Sequence, residues 1–323
     1  MRRLLHWSNN QERILNIVSD YSCLFTIVLK IKDDAFFFPR WLVHHQNLLP
    51  GCRLIIFDNE STDATLIKAY EDISSDNVFV FSFSGNPDHI HCPSNWGQLY
   101  EALRRSSDYY AFFDVDEFLY CVSAEGNIIS LEQYLLDCKS QRILCCPSHW
   151  ALSEPLSEKI YHFCSDELLR GGKPVMSSEM CTSNLDIINH NVQLFGQLDI
   201  IHRCRGGLVL FHQRDLNPTQ RIKVNTLKCL TYNFIESEAD IHSLLAGSLD
   251  DIDPATFRNY LVEISRLRDI AEHGLSDSLR FKHGAITLNK EYNQIVPTDL
   301  KAADRLGVFV NNFPDLKAAF PPR

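Results

Sequence analysis

The chain has 323 residues, 45% hydrophobic and 22% charged, with a net charge of −10. That length suits one large domain, or one domain with an appendage, around a substantial core. The acidic balance leaves no electrostatic footprint for nucleic acid, and no run approaches the ~18 apolar residues of a membrane span.

The start, MRRLLHWSNNQERILNIVSD, has two arginines but no long apolar stretch, so it does not read as a signal peptide. Its basic residues are compatible with peripheral membrane association. The 11 cysteines are odd in number and scattered, with no C-x-x-C. They read as free thiols of a cytoplasmic protein, most of them small buried hydrophobes.

The first 150 residues alternate strand and helix signals. Residues 25–31 (FTIVLKI) form a short β-branched run. A helix pattern follows, with Pro39 near its start and Trp41, His45, Leu48 and Leu49 at helical spacing, stopped by Pro50 and Gly51. RLIIF (53–57) is a second strand. Ser61 or Thr62 offers an N-cap for a helix through ATLIKAYEDI, with Asp63 open to capping or nucleotide support. VFVFSF (78–83) is a third strand. Pro87 and Pro93 mark a loop, WGQLYEALRRSS is a helix, YYAFFD (109–114) is a fourth strand, and RILCC (142–146) is a fifth. Strands apolar on both faces with helices between them predict a parallel sheet covered on both sides.

Ligands of such sheets bind beyond the carboxyl ends of the strands. Asp33 and Asp34 follow strand one, Asp58 follows strand two and Asp114 ends strand four. Acids distant in the chain therefore converge on one rim. Burying unpaired carboxylates is costly, so the run YYAFFDVDEFLY needs an explanation. If it stays extended, Asp114 and Asp116 point the same way with Val115 opposite. Two carboxylates on one side suit Mg²⁺ or Mn²⁺, which could hold a diphosphate. The plain alternative is that Asp114 caps a turn and the other acids are solvated. A second D-x-D, at Asp251 and Asp253, reads as a helix N-terminus.

Other fingerprints are missing. There is no G-x-G-x-x-G, no P-loop and no G-x-S-x-G. RGGK (170–173) could meet phosphate or be a solvated turn. His44 and His45 lie on an amphipathic helix and read as packed or hydrogen-bonded residues. His190 is open to either reading. His212 ends a strand-like run near Arg214 and Lys223.

Taken together, VLKIKDDAFFFPRWLVHHQNLLPGCRLIIFDNESTDAT and YYAFFDVDEFLY resemble the glycosyltransferase family 2-like group, in a branch related to family 92. The likeness covers about residues 25–120, with a weaker echo at Lys173, His190 and residues 212–228. It implies a GT-A type, Rossmann-like α/β fold, with a mostly parallel central sheet flanked by helices and a helical C-terminal extension. The expected organisation is an N-terminal extension (1–20), a glycosyltransferase domain (21–235) and a mainly helical C-terminal region (236–323). Within the domain, 21–120 would bind the nucleotide and 121–235 the acceptor.

The resemblance implies transfer of a sugar from a nucleotide-diphosphate sugar, UDP-sugar favoured, to a glycan or other hydroxyl acceptor, with inversion. Asp34 and Asp58 would meet the nucleoside, and Lys32 lies beside them in the same motif. Asp114 would bind the donor, and Asp114, Asp116 and His212 would hold Mn²⁺ or Mg²⁺. Lys173 would face the phosphates or the acceptor, and Glu117 would support the metal site. Two positions depart from the pattern: Lys32-Asp33-Asp34 shortens an acid, and Arg40 replaces an acid before Trp41. Inversion needs a carboxylate base. Glu179, Asp186 and Asp199 lie in the relevant half, with Asp199 and Asp186 favoured.

Two other functions compete. A nucleotidyltransferase would need a glycine-rich basic loop after strand one, where this chain has KDDAFFF. A non-catalytic glycan- or partner-binding module on the same fold is the main alternative.

Overall fold

The computed structural model describes residues 4–121, 129–138, 143–146, 148–153, 160–163, 173–179, 185–188, 191–194, 208–215, 285–289 and 294–297, with single residues 226, 230, 237 and 243. Its elements in order are β1 (Leu5–His6), α1 (Trp7–Ser19), β2 (Cys23–Ile31), α2 (Phe38–Leu48), β3 (Arg53–Asp58), α3 (Ala64–Glu71), β4 (Val78–Ser82), a 3-10 helix (Pro87–His91), α4 (Pro93–Ser106), β5 (Ser107–Asp114) and β6 (Glu117–Cys121). They continue with α5 (Leu131–Asp137), β7 (Ile143–Cys146), β8 (Ser148–Ser153), β9 (Ile160–Phe163), β10 (Lys173–Ser177), β11 (Leu185–Ile188), β12 (Asn191–Leu194), β13 (Leu208–Asp215), β14 (Ala285–Asn289) and β15 (Gln294–Pro297).

The main sheet has the order β1-β4-β3-β2-β5-β10-β7. The pairs from β1 through β5 are all parallel, whereas β10 is antiparallel to both β5 and β7. The sheet is thus mostly parallel and flanked by helices, as the alternating pattern predicts. The fifth expected strand, β7, does not lie beside β5, because β10 is inserted between them.

Strand alternation divides the core into two layers. From β2, Ile27, Leu29 and Ile31 pack with Phe38 and Trp41 of α2 on one face. Val28 packs with Ile14 of α1, Leu99 and Tyr100 of α4 and Ile90 of the 3-10 helix on the other. All six residues of β3 are buried. Each large apolar side chain there contributes roughly 1.5–3 kcal/mol on burial.

A second sheet has the order β15-β14-β9-β8-β13-β6. The hairpin β14–β15 lies within the region expected to be helical. Its β-branched Ile286, Thr287, Ile295 and Val296 favour a pleated surface, a local signal that the polar, helix-like text around them hides. The helix expected from residue 253 lies outside the described residues.

Two further local readings change. Helix α3 is capped by Asp63, whose carboxylate accepts from the N–H groups of Thr65 (2.7 Å) and Leu66 (3.2 Å), not by Ser61 or Thr62. Ser61 instead accepts from the N–H of Asp33 at 2.9 Å. Pro93 starts α4 rather than closing a long loop, because its missing N–H and fixed φ suit a first helical turn.

Arg53 fastens the end of the sheet opposite the acids. Its guanidinium is wholly buried and donates to the Val18 and Tyr21 carbonyls and to the hydroxyls of Thr26, Ser106 and Ser107. Among the described residues no carboxylate pairs with it, so neutral acceptors alone hold a buried cation. Burial lowers its pKa, against smaller opposing effects of Cys23 and Tyr21. Cys52 is likewise buried, which pushes its thiol up to about 12. Cys23, Cys52, Cys92, Cys121 and Cys138 are free thiols, and among the described residues no helix is long and apolar enough to cross a membrane.

His44 and His45 clamp one residue of β6. His44 Nε2 donates to the Leu119 carbonyl at 2.7 Å. His45 Nδ1 donates to the Trp41 carbonyl at 2.9 Å, and its Nε2 accepts from the Leu119 N–H at 3.4 Å. That pattern requires a neutral ring. Burial, reinforced by His44, lowers the His45 pKa well below its usual value. Above pH ~6.5 neither folded nor unfolded His45 is charged, and its contribution is complete. Below that pH the unfolded chain takes up a proton that the folded chain refuses, and stability falls by up to about 1.4 kcal/mol per unit. Urea titrations should therefore show wild type losing stability between pH 6.5 and 5 more steeply than His45→Gln. Equal slopes would refute the assignment.

Candidate functional site

The order β4-β3-β2-β5 reverses direction at β2, so chain connections diverge between β2 and β5. Doubly wound sheets open a crevice at such a switch point, beyond the carboxyl ends of the strands. The register places Lys30 opposite Asp114 and Ile31 opposite Asp58. The expected acidic rim therefore exists, with Asp58 and Asp114 on the strands flanking β2.

Asp33, Asp34 and Asp58 organise the loops of that rim. Asp33 sits at φ 49 and Glu60 at φ 53. This left-handed region is uncommon outside glycine, although Asp tolerates it better than Glu. The Asp33 carboxylate accepts from the N–H groups of Thr62 (2.6 Å) and Asp63 (2.8 Å), stitching the loop after β2 to the loop after β3. Asp34 accepts from the Phe37 N–H at 3.0 Å, at the start of α2. Asp58 is 5% exposed and accepts from the Ser61 N–H and the Tyr70 hydroxyl, both at 2.9 Å. Burial, and then the charge of Asp58, push the Tyr70 pKa up. Lys32 is exposed at the mouth of the rim.

The acids after β5 do not continue the strand. Val115 and Asp116 form a turn, and Glu117 opens β6. Glu117 Oε2 accepts from the Asp114 N–H at 2.8 Å and closes that turn with a side chain. The extended geometry expected for D-V-D is thus replaced. Val115 joins the apolar core, while Asp116 is 9% exposed. The signal for this turn is the acid three residues after Asp114, which can reach back to a backbone donor.

Lys173 enters from β10. Its ammonium is fully buried, 3.1 Å from Asp114 Oδ2 and 3.4 Å from Glu117 Oε2. Burial alone lowers its pKa, but Asp114 and Glu117 outweigh that effect and leave it raised. The other oxygen of Asp114 is 3.5 Å from Lys30 Nζ, and Lys30 also lies 2.6 Å from Asp88 on the 3-10 helix. Carboxylate and ammonium groups alternate across the rim: Asp88, Lys30, Asp114, Lys173, Glu117.

Sequence reasoning missed Lys30 and Asp88. The available signal for Lys30 was a single cation near the end of an otherwise apolar strand. Asp88 offered none, because its role depends on where the 3-10 helix packs.

Of the remaining candidates, His212 lies opposite Glu117 in the antiparallel β13–β6 register, which brings its backbone beside the acidic turn. Asp186 lies in β11, opposite Gln193. Asp199 and His190 lie outside the described residues. Glu179 is exposed just after β10, where Ser177 pairs with Tyr109, near the start of β5. With β5 rising ~3.3 Å per residue, Glu179 is near the end of the sheet opposite Asp114.

No protein-family model matches the chain, and no curated protein matches it. Similar solved structures include S. aureus TarS 1-349 in complex with UDP-GlcNAc, at 12% identity and TM-score 0.36, covering 90% of this chain and 82% of that one. Another is the mannosyltransferase PcManGT from Pyrobaculum calidifontis in complex with GDP-Man and Mn²⁺, at 11% identity and TM-score 0.32, covering 93% and 86%. A third is glucosyl-3-phosphoglycerate synthase from Mycobacterium tuberculosis with Mn²⁺, UDP and glucosyl-3-phosphoglycerate, at 15% identity and TM-score 0.29, covering 53% and 62%.

Breaking a buried ion pair from one side leaves an uncompensated charge, a loss of about 3–5 kcal/mol. Lys173→Met should destabilise the chain by about that amount in urea denaturation, and adding Glu117→Gln should recover part of it. A near-neutral Lys173→Met would show that the ammonium does not brace the turn.

Proposed function

We propose that this chain is a glycosyltransferase of GT-A type that moves a sugar from a nucleotide-diphosphate sugar to a glycan or other hydroxyl acceptor, with inversion. The observation that supports this most is the placement of Asp114, with Asp116 in the turn just after it, at the switch point of the sheet and across β2 from Asp58. The combined motif over residues 25–120 points the same way.

In this reading the stitched loops after β2 and β3 form a rigid floor for the nucleoside, with Asp34, Asp58 and Lys32 at its edge. A built-in floor lowers the ordering cost of binding. The left-handed residues Asp33 and Glu60 fit such a place, since strained backbone of this kind clusters at binding sites. The turn after β5 would receive the diphosphate. Its carboxylates are hard oxygen donors and fit Mn²⁺ or Mg²⁺. Asp114 already shares its oxygens with two ammonium groups, so Asp116 is the stronger carboxylate candidate for a cation. Asp114 and His212 would complete the set. A cation bound there would supply positive charge for the departing diphosphate.

The chain's own residues would do the rest. Lys173 and Glu117 hold the turn in one geometry, so that Asp114 and Asp116 need not reorganise when the donor arrives. A carboxylate from the second half, Asp186 or Asp199, would take the acceptor's hydroxyl proton as the new bond forms on the face opposite the leaving diphosphate.

Ligand at 100 times its dissociation constant stabilises a protein by ~2.7 kcal/mol. With Mn²⁺ present, UDP or GDP should raise the melting temperature by about 5 °C or more. Asp114→Ala and Asp116→Ala should abolish that rise. If neither nucleotide stabilises the wild type with any divalent cation, the reading fails. Hydrolysis of a nucleotide-sugar without acceptor would separate a working enzyme from a binding module.

A further inference from the structure

We propose that Lys30 is the residue that meets the donor's phosphates, and that Asp88 occupies its ammonium until they arrive. This deepens the glycosyltransferase reading and rests on it. Three described lysines lie at the rim. Lys173 is fully buried between two carboxylates. Lys32 is exposed beyond the strand. Lys30 alone is both anchored in a strand at the switch point and partly accessible, with 12% of its side chain exposed.

Its orientation follows from strand alternation. Val28 belongs to the layer that includes α4 and Ile90 of the 3-10 helix, and Lys30, two residues on, shares that face. The ammonium sits between Asp114 at 3.5 Å and Asp88 at 2.6 Å. These partners differ in how easily they can leave. Asp114 ends a central strand and is also held by Lys173. Asp88 is 48% exposed, on a 3-10 helix of five residues outside the sheet. An incoming phosphate oxygen can take the place of the Asp88 oxygen, exchanging one charge-assisted hydrogen bond for another.

The charges also favour competition. The row from Asp88 to Glu117 holds three carboxylates and two ammonium groups, a net negative charge that opposes a diphosphate. Neutralising Asp88 removes that excess and frees Lys30 together. Asp88 thus acts as a built-in competitor that lowers affinity for anions lacking the rest of the donor.

Calorimetric titrations of UDP, GDP, uridine and guanosine at constant Mn²⁺ test this. Lys30→Met should weaken the nucleoside diphosphate by about tenfold or more and leave its nucleoside unchanged. Lys30→Arg should retain most of the affinity, and Lys30→Gln replaces the methionine variant if that one loses its cooperative melt. Asp88→Asn should tighten the diphosphate by about threefold or more, again without effect on the nucleoside. The proposal is overturned if Lys30→Met binds the diphosphate as wild type does, or loses nucleoside and diphosphate alike, or if Asp88→Asn weakens binding. If the wild type binds none of the four ligands, the glycosyltransferase reading itself fails and takes this one with it.

Discussion

The buried ammonium of Lys173 is the constraint around which this molecule is arranged. It lies between Asp114, which ends a strand of the main sheet, and Glu117, which begins a strand of the second sheet. Only two residues separate these acids, and between them the chain leaves one sheet and enters the other. A carboxylate at that corner would be expensive to bury alone. Lys173 compensates both acids, and Glu117 adds a hydrogen bond to the Asp114 backbone. The inserted antiparallel strand β10 has a reason in this light, since it delivers the lysine to the corner.

The two ends of the main sheet solve opposite problems. At the start of the strands, Arg53 is satisfied by carbonyls and hydroxyls and closes that end. At the carboxyl ends, charged groups alternate, and Asp88, Lys30 and Asp114 among them remain partly accessible, with Asp114 24% exposed. Saturated polar groups brace a fold, whereas groups held by exchangeable partners can respond to a ligand. The histidine clamp belongs with the bracing set. It ties α2 to Leu119, two residues beyond Glu117, and so steadies the second sheet where it meets the site.

Local stereochemistry carries the rim. The Asp33 carboxylate pulls the loop after β3 toward the loop after β2, and Asp63 caps α3 from the same segment. The string DNESTD can be read as a turn leading into a helix, because Asp, Asn and Ser bond to nearby backbone. Which of them caps the helix is settled by the partner that each finds across the loops. Ser61 faces the Asp33 N–H, and the cap falls to Asp63.

Strand runs apolar on both faces are legible without a structure, because a sheet covered on both sides leaves no polar positions. The convergence of Asp58 and Asp114 was legible for the same reason, since parallel strands point their carboxyl ends to one edge. The D-x-D spacing identified Asp114 and Asp116 but not the turn between them, which depends on a side chain folding back onto the backbone. Lys30 and Asp88 were missed because their pairing spans 58 residues of chain. The sequence by itself determined the alternating strands and helices and the acidic edge, both consequences of short-range periodicity. Tertiary structure alone decided the insertion of β10, the burial of Lys173 and the alternating charges at the site. These depend on which distant segments pack side by side, and local sequence pattern carries no record of that.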